Sequence, residues 1–518
     1  MLVYWDRRRA AETLAELAAL RGAEPLDVLI GLGEVEAGVA DVLFPDRDGD
    51  CGPARELRRL SVEAARAWLA GRAFAFEPPD GLPQTISLGI PEGYAYYGLF
   101  PETYAEAAER FAAEARPVSV AVVGIRGIGT SLSAVVAAAF ERAGCRVGSW
   151  TVRPRGHPFA RKVELEPPLE AAWRARADRW WAVVDEGPGL SGSSMTSVAS
   201  KLEELGIPGA RIVLFPSWET SGEQFVSPDA RRRWPRHRKY TGSYRAPEGT
   251  DISAGGWRRL LYPDCREWPA VQTQHERRKY LAGNPGERTL LKFAGLGRFG
   301  RGKLERAERL WRAGFGPRPL GLENGFLRME WVEGRPVKIM TPALLETMAR
   351  YLDFLRNECP GGEGASNEEL RDLIRVNTGR EWQGETPCGE PCRIDGRMLP
   401  HEWIETERGY LKADALDHHD GHFLPGCQPI AWDVAGAAVE FGLDAAAAAR
   451  LAQACGAARD LPFYIAAYSA FRAGYATLAA AALAGTPEAE RFTALASRYG
   501  AGVWKAAPVP RPGSRDTV

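Results

Sequence analysis

The sequence lacks any long uninterrupted apolar run and any appreciable net charge. Its 518 residues carry 66 Lys and Arg against 67 Asp and Glu, a formal net charge of −1. No apolar segment reaches the roughly 20 residues that a bilayer-spanning helix needs. The balanced charge provides no global field for nucleic acid or a membrane surface. We therefore expect small-molecule substrates, no membrane partner and no nucleic-acid partner, and we leave a homo-oligomer open.

Cysteine and histidine are also scarce, with 8 Cys and 7 His in the chain. The cysteines are scattered without the spacing of a disulfide framework. The one close pair, Cys388 and Cys392, has no second pair at a distance that fits a zinc site. The N-terminal residues are charged and amphipathic, without the apolar core of a secretory signal. These features predict a reducing, cytoplasmic setting.

The length predicts roughly three domains. Apolar residues make up 45% of the chain, enough for sizeable cores. Passages rich in Pro and Gly mark the boundaries between segments of regular hydrophobic pattern. We predict a helical N-terminal extension or hood (1–89), an α/β domain (90–245), a linker (246–269), a two-lobed α+β domain (270–505) and a disordered tail (506–518).

The most informative stretch is WAVVDEGPGLSGSSMTS at residues 181–197. An apolar strand pattern ends in two adjacent carboxylates, Asp185 and Glu186, and a loop of glycines and hydroxyls leads into a helix. The carboxylates can accept hydrogen bonds from vicinal ribose hydroxyls. The loop N–H groups and the helix dipole can hold a phosphate. The pattern predicts a sugar-phosphate site, and the alternative is an ordinary strand–turn–helix corner.

This stretch resembles the PRPP signature of type I phosphoribosyltransferases, with a loop one residue longer than usual and Glu as the second acid. The resemblance implies that Asp185 and Glu186 hold the ribose hydroxyls during catalysis on Mg²⁺–PRPP. It also implies that the 5′-phosphate is cradled by the loop residues Ser191, Gly192, Ser193 and Ser194. The reaction would stabilise departing pyrophosphate and an oxocarbenium-like ribosyl centre by positioning and electrostatics.

A second element, VSVAVVGIRGIGTSLSAVVAAAF at residues 118–140, supports the first. It combines a strand apolar enough to be buried on both faces of a parallel sheet with a glycine-rich turn and a helix. In the same family, the resemblance implies that Arg126 and Gly127 face the diphosphate. The basic segment 153–168 corresponds to a flap over the diphosphate, with Arg153 and Lys162 as charged partners.

Residues 287–335 resemble the N-terminal lobe of small-molecule kinases of the aminoglycoside and choline phosphotransferase type. The resemblance implies that Lys292, in a strand, contacts ATP phosphates and pairs with Glu305 of the following helix. Glu330, in the segment MEWVEG, then belongs to the adenine-binding hinge. The segment from Gly295 to Gly300 also fits GxGxxG, and a Rossmann unit is the alternative, which would need a βαβ arrangement.

Residues 410–442 supply the rest of the implied kinase site. Asp414 falls at the catalytic Asp, Asp433 at the Asp that holds Mg²⁺, and His419 at the position of a metal-binding Asn. Histidine departs from the pattern because Mg²⁺ prefers oxygen ligands, so Asp417 or Asp420 could replace it, the register could slip, or the site could be inactive. Two alternatives stay open: a transition-metal cluster (Asp417, His418, His419, Asp420 and His422) and a structural loop.

Taken together, these patterns predict an α/β chain with a type I phosphoribosyltransferase-like parallel sheet flanked by helices and a kinase-like domain. The predicted function is a bifunctional enzyme of nucleotide metabolism that uses Mg²⁺, PRPP and ATP. The alternative is a regulatory protein that senses nucleotides or PRPP, in which one or both sites bind without turnover.

Overall fold

The computed structural model describes residues 1–4, 8–421, 423 and 425–506. Residues beyond 506, where we predict a disordered tail, lie outside the described residues, as does His422. The chain forms two compact units. The N-terminal unit comprises residues 8–246 together with Gly295–Phe299. The C-terminal unit comprises Pro247–Ala294, the chain from Gly300 onward and the first residues, Met1 to Tyr4.

The N-terminal unit mixes helices and strands. Its strands are β1 (Arg8–Glu12), β2 (Thr85–Gly89), β3 (Ser119–Ile125), β4 (Arg146–Val152), β5 (Trp180–Val184), β6 (Ile212–Phe215) and β7 (Arg238–Lys239). Its helices are α1 (Thr13–Ala19), α2 (Pro25–Leu43), α3 (Gly52–Leu69), α4 (Pro101–Ala115), α5 (Ile128–Arg142), α6 (Pro167–Arg174), α7 (Ser193–Glu204) and α8 (Pro228–Arg233).

Five strands form a parallel sheet in the order β4-β3-β5-β6-β7. Strands β3 and β5 are apolar on both faces because helices cover both sides of the sheet. Val123 and Val183 pack in one core with residues of α6 and α7. The mixed α/β class and the parallel sheet that we predict are confirmed.

The strand order fixes where a ligand site belongs in this unit. The chain passes from β3 outward to β4 and then returns to β5 on the other side of β3. In open α/β sheets, ligands bind outside the carboxyl ends of the two strands at such a reversal. Residues Gly124 and Val184, at the ends of β3 and β5, are direct neighbours in the sheet. The glycine-rich turn after β3 and the acidic pair after β5 therefore meet at this edge.

The predicted helical extension contains three helices and also a strand pair. Residues 8–12 form β1, which pairs antiparallel with β2 from Arg8 opposite Gly89 to Glu12 opposite Thr85. Helices α2 and α3 pack against α5. This part of the chain therefore belongs to the same compact unit as the parallel sheet.

The C-terminal unit has ten strands and eight helices in the described residues. Its strands are β8 (Thr250–Asp251), β9 (Lys279–Ala282), β10 (Thr289–Phe293), β11 (Pro319–Glu323), β12 (Phe326–Glu330), β13 (Arg335–Pro336), β14 (Pro391–Cys392), β15 (Trp403–Thr406), β16 (Gly409–Lys412) and β17 (Gln428–Pro429). Its helices are α9 (Arg258–Leu261), α10 (Arg298–Arg312), α11 (Pro342–Glu358), α12 (Asn367–Thr378), α13 (Ala431–Phe441), α14 (Ala445–Ala454), α15 (Leu461–Ala482) and α16 (Pro487–Ala506).

A five-stranded sheet in the order β11-β12-β10-β9-β8 forms one part of this unit. Strand β10 pairs antiparallel with both β9 and β12. A Rossmann unit requires parallel neighbours, so that alternative for the segment Gly295–Gly300 is wrong.

The other part of the unit is mainly helical, with a hairpin of β15 and β16. Helix α15 packs against α12, α13 and α16. Large apolar side chains such as Trp432 and Tyr351 are fully buried in one continuous core, which also contains Val3. Throughout the described part of the chain, every helix is too short or too polar to cross a membrane.

Candidate functional sites

The C-terminal unit contains a cavity of about 830 Å³, which is within the size range of small-molecule sites. Strands β9 and β10, the end of β12, and the loop after β16 contribute to its walls. Lys292, Glu330, Asp414, Asp417 and His418 all line it. Glu330 therefore lies at the same cavity as Lys292 and Asp414.

Lys292 is the central charge of this cavity. Its Nζ lies 2.6 Å from Oδ1 of Asp414 and 3.2 Å from Oδ1 of Asp417. Arg277 adds a second cation, because its Nε donates to Oδ2 of Asp417 at 3.0 Å. Two carboxylates and two cations thus form one buried network at the end of β10 and the loop that follows β16.

The network keeps both carboxylates ionised. Burial alone would raise the pKa of Asp414, but the Lys292 ammonium and the other nearby cations together lower it. Burial acts in the same way on Asp417, and Lys292 and Arg277 hold its pKa well below the usual value. Burial disfavours the charged form of Lys292, but the two carboxylates raise its pKa above the usual value.

The residues around Asp414 suit a divalent cation. Carboxylate oxygens of Asp414 and Asp417 and a ring nitrogen of His418 lie within 4.8 Å of one another. Mg²⁺ is bound by one or two carboxylates together with substrate phosphates, so two ionised Asp residues fit it. Of the two carboxylates that could stand in for His419, Asp417 is the one whose oxygen lies close to those of Asp414. His419 itself is half-buried beside this loop.

A second buried network lies behind the first. Asp395 is fully buried and accepts a hydrogen bond from the Tyr351 hydroxyl at 2.7 Å, and Lys412 Nζ lies 2.9 Å from its carboxylate. Lys412 also lies 2.9 Å from Glu402. Burial would raise the pKa of Asp395, but the Lys412 ammonium, His418 and the Tyr351 hydroxyl together lower it to about 2. Sequence reasoning missed Asp395 and Lys412, because neither occurs in a motif that we recognised.

Asp433 does not reach the cavity, which is a correction to its predicted role as a metal ligand. Its two carboxylate oxygens accept hydrogen bonds from the backbone N–H groups of Asp395 (2.7 Å) and Gly396 (2.8 Å). Burial raises its pKa to about 7. Asp433 is fully buried in the first turn of α13 and holds the loop at 395–396 in place.

The predicted Lys292–Glu305 pair is not formed either. Glu305 is exposed on α10, whereas Lys303 and Arg306 are the buried charged residues of that helix. Arg306 donates to the backbone carbonyls of Ala415 and Arg393. The buried residues of α10 include Gly300, Lys303, Ala307 and Leu310. That spacing defines one helix face, and Glu305 lies on the opposite face.

The N-terminal unit brings the predicted acidic pair to the carboxyl edge of the parallel sheet. A Cβ placed on Gly129 would lie 3.1 Å from Oδ1 of Asp185. A Cβ placed on Gly93 would lie 2.9 Å from Oε1 of Glu186. The start of α5 at Gly129 and the segment at Gly93 therefore approach the two acids so closely that each position favours glycine. Gly127, the residue before α5, has φ +125°, a conformation that favours glycine.

Neither acid forms an ion pair with any described residue. Burial raises the pKa of Asp185 to about 6, with backbone N–H groups, Arg153 and Arg161 acting in the opposite direction. Burial, together with the neighbouring Asp185, raises the pKa of Glu186 to about 8. Two half-buried carboxyl groups with raised pKa at a sheet edge are typical of binding and catalytic sites.

The serine loop leads directly into the helix that follows the acids. Gly192 has a left-handed conformation (φ +65°), and α7 begins at Ser193. The Ser191 and Ser193 hydroxyls lie 3.0 Å apart, and Ser193 Oγ donates to the Pro158 carbonyl at 2.6 Å. Ser194 is partly exposed in the first turn of α7. The predicted loop is thus an N-terminal helix turn, and one of its hydroxyls contacts the predicted flap.

The predicted diphosphate contacts are arranged differently from our expectation. Arg126 is buried, and its guanidinium pairs with Asp48 and lies 3.3 Å from Asp41. Arg153 pairs with Asp41 at 2.5 Å. These two carboxylates come from α2 and the turn after it. Asp48 is 78 residues from Arg126 and Asp41 is 112 residues from Arg153 in sequence, so no local pattern could reveal these pairs. Lys162 is exposed, and its backbone pairs with that of Arg155.

No protein-family model and no curated protein matches the sequence. Among solved structures, the choline kinase LicA from Streptococcus pneumoniae is similar over 43% of this chain and 89% of its own, with 12% identity and a TM-score of 0.31. A choline/ethanolamine kinase family protein from Mesorhizobium loti is similar over 45% and 86%, with 16% identity and a TM-score of 0.30. An ethanolamine kinase from Plasmodium vivax is similar over 58% and 93%, with 8% identity and a TM-score of 0.30. At these values the likeness assigns no activity.

Proposed function

We propose that the C-terminal unit is an ATP-dependent phosphotransferase that acts on a hydroxyl group of a small molecule. The observation that carries this proposal is the placement of Lys292 between Asp414 and Asp417 at the wall of a large cavity. Phosphoryl transfer needs little covalent chemistry from the protein. Its catalysis consists of positioning and of neutralising the charge of the phosphates.

Each charged group has a role in this reaction. Lys292 binds the phosphates of ATP, and its ion pairs fix its direction in the nucleotide-free protein. Asp414 and Asp417 would hold Mg²⁺, which supplies positive charge to the phosphates when bound. Glu330 lies at the end of β12, where the nucleotide base would bind. Asp395, Lys412 and Asp433 do not touch substrate in this proposal, and they hold the loop from 395 to 418 in its shape.

The proposal is tested by ATP binding and by ADP formation with Mg²⁺. We expect Lys292→Met to weaken ATP binding at least tenfold, and Asp414→Asn to abolish the Mg²⁺ dependence of binding. Glu305→Gln is the matched control, because Glu305 lies on the exposed face of α10. Binding that is equal in all three variants would refute the site. ATP binding without ADP formation would instead support the sensing alternative.

For the N-terminal unit we propose a binding site for a phosphorylated ribose, with PRPP as the first candidate. The specific observation is that Asp185 and Glu186 lie half-buried at the reversal point of the sheet, with raised pKa and without ion pairs among the described residues. The hydroxyls of a ribose would donate to these carboxylates. The first turn of α7, with Ser193 and Ser194, would hold the phosphate.

Calorimetry with Mg²⁺–PRPP and with ribose 5-phosphate tests this second site. Replacing both Asp185 and Glu186 with Ala should abolish binding of both ligands. Glu204→Ala is the matched control, because Glu204 is an exposed acid at the far end of α7. Unchanged binding in the double variant would reject the site, and this result would leave the phosphotransferase proposal standing.

A further inference from the structure

The cavity of the C-terminal unit has a second wall, away from Lys292, that the proposed ATP site does not use. Helix α15 contributes Arg472 and Tyr475 to it, and α16 contributes Arg498 and Tyr499. Glu440 of α13 lies between them. An acceptor molecule would bind against this wall, because the nucleotide is assigned to the side of Lys292 and Glu330.

The aromatic rings of this wall are already paired with cations of the chain. The Arg472 guanidinium lies 5.1 Å from the ring centroid of Tyr499 and 5.9 Å from that of Tyr475. The Arg498 guanidinium lies 5.4 Å from the Tyr499 ring. A ring face in contact with a guanidinium cannot also bind an ammonium group, so these rings do not form a cage for a cationic ligand.

The Glu440 carboxylate of this wall is also occupied. Glu440 accepts hydrogen bonds from the hydroxyls of Tyr468 (2.8 Å) and Tyr499 (2.9 Å) and from Arg472 Nε at 3.1 Å. Arg498 lies 3.6 Å from the same carboxylate. With two arginines and two hydroxyls around it, Glu440 has no capacity left to pair with an incoming cation.

A third arginine, Arg397, extends the positively charged surface toward Asp414, where the ATP phosphates are proposed to bind. Arg397 lines the cavity, and its NH2 group donates to Glu402 at 2.8 Å and lies 4.0 Å from Asp414. Its Nε, although buried, makes no hydrogen bond to any described residue. Because the Arg397 side chain is 35% exposed, the rest of its guanidinium can meet an anionic group of a ligand next to the proposed phosphate site.

We propose that the phosphoryl acceptor is a small hydroxyl compound that carries an anionic group, recognised by Arg472, Arg498 and Arg397, and that it is not a cationic amino alcohol. This inference rests on the proposed phosphotransferase function and names its substrate class. A phosphate and a carboxylate share the chemistry that a guanidinium recognises, so the experiment contains an arm for each.

The test uses the full-length protein saturated with Mg²⁺ and a non-hydrolysable ATP analogue. The calorimetric probes are glycerol 3-phosphate, glycerate, glycerol and choline, four compounds of similar size with a hydroxyl group. We expect at least one anionic probe to bind at least tenfold more tightly than glycerol, and choline to bind no better than glycerol. Tighter binding of choline, or no preference for either anion, would overturn the proposal.

Variants locate the binding to this wall. Arg498→Gln should reduce the preference for the anion about tenfold without changing glycerol binding, because Arg498 is half-exposed and its loss leaves the core intact. Arg472→Lys should reduce it less, since the charge is retained. Arg375→Gln on the exposed surface of α12 is the control. A preference that survives in both Arg472→Lys and Arg498→Gln would refute the assignment. If the wild-type protein does not bind the ATP analogue, the phosphotransferase proposal is refuted instead.

Discussion

Glu186→Gln tests, without any ligand, whether the pKa of Glu186 in the N-terminal unit is raised. Burial and the neighbouring Asp185 raise the pKa of Glu186 from 4.5 to about 8 in the folded protein. A group whose folded pKa is raised contributes stability that is present below the unfolded pKa and is lost as the pH rises through the folded pKa. The wild-type unit should therefore lose stability between about pH 4.5 and pH 8.

The magnitude follows from the free energy of proton binding. The rise from 4.5 to about 8 corresponds to about 5 kcal/mol at most, at about 1.4 kcal/mol for each pH unit. Gln has nearly the same shape and never ionises, so the variant escapes this cost. We expect Glu186→Gln to be more stable than wild type by about 4 kcal/mol more at pH 8.5 than at pH 5.

Thermal unfolding at the two pH values measures this difference. For a unit of this size, the gain corresponds to a rise in melting temperature on the order of 10 °C at pH 8.5. Glu204→Gln, at an exposed position of α7, is the matched control and should show no pH-dependent gain. If the melting temperature of Glu186→Gln rises equally at pH 5 and pH 8.5, or does not rise at all, then ionising Glu186 does not destabilise the folded protein.

Three further outcomes are expected. Asp433→Ala should lower the free energy of unfolding of the C-terminal unit by about 2–4 kcal/mol, because two buried backbone N–H groups lose their acceptor. Urea titration measures this loss, and an unchanged unfolding midpoint would contradict the role of Asp433. Asp48→Asn should cost about 3–5 kcal/mol in the N-terminal unit, since it leaves the buried charge of Arg126 without its partner. Asp417→Asn should raise the KM for ATP at least tenfold, whereas Glu305→Gln should leave it unchanged, and steady-state ADP formation distinguishes the two.

The strands of the parallel sheet could be predicted because burial on both faces leaves a continuous apolar pattern. Val120 to Val123 and Trp181 to Val184 are all buried, and the acids follow the second run directly. The local order of strand, acid pair, serine loop and helix was therefore readable. The pairing of β1 with β2 was not, because a five-residue strand of Arg, Ala and Glu has no apolar alternation.

The errors share a physical cause. The charge on Arg126 is satisfied by Asp48, a partner distant in sequence, and no periodicity reports such a pair. Lys292 likewise finds its carboxylates 122 and 125 residues away, at Asp414 and Asp417. For Glu305 a signal did exist, because the spacing of Gly300, Lys303, Ala307 and Leu310 already defines the buried face of α10.

The first residues of the chain have a practical consequence for dissecting this protein. Val3 is buried in the core of the C-terminal unit, and Leu2 exchanges two hydrogen bonds with the Asn377 side chain at 2.6 and 3.0 Å. A fragment that begins at Pro247 would therefore lose the hydrogen bonds of Leu2 and leave a cavity in its hydrophobic core where Val3 packs. Separate expression of the two halves should fail for the second half unless residues 1–4 are supplied in trans as a peptide, so activity should be dissected by point substitution in the intact chain.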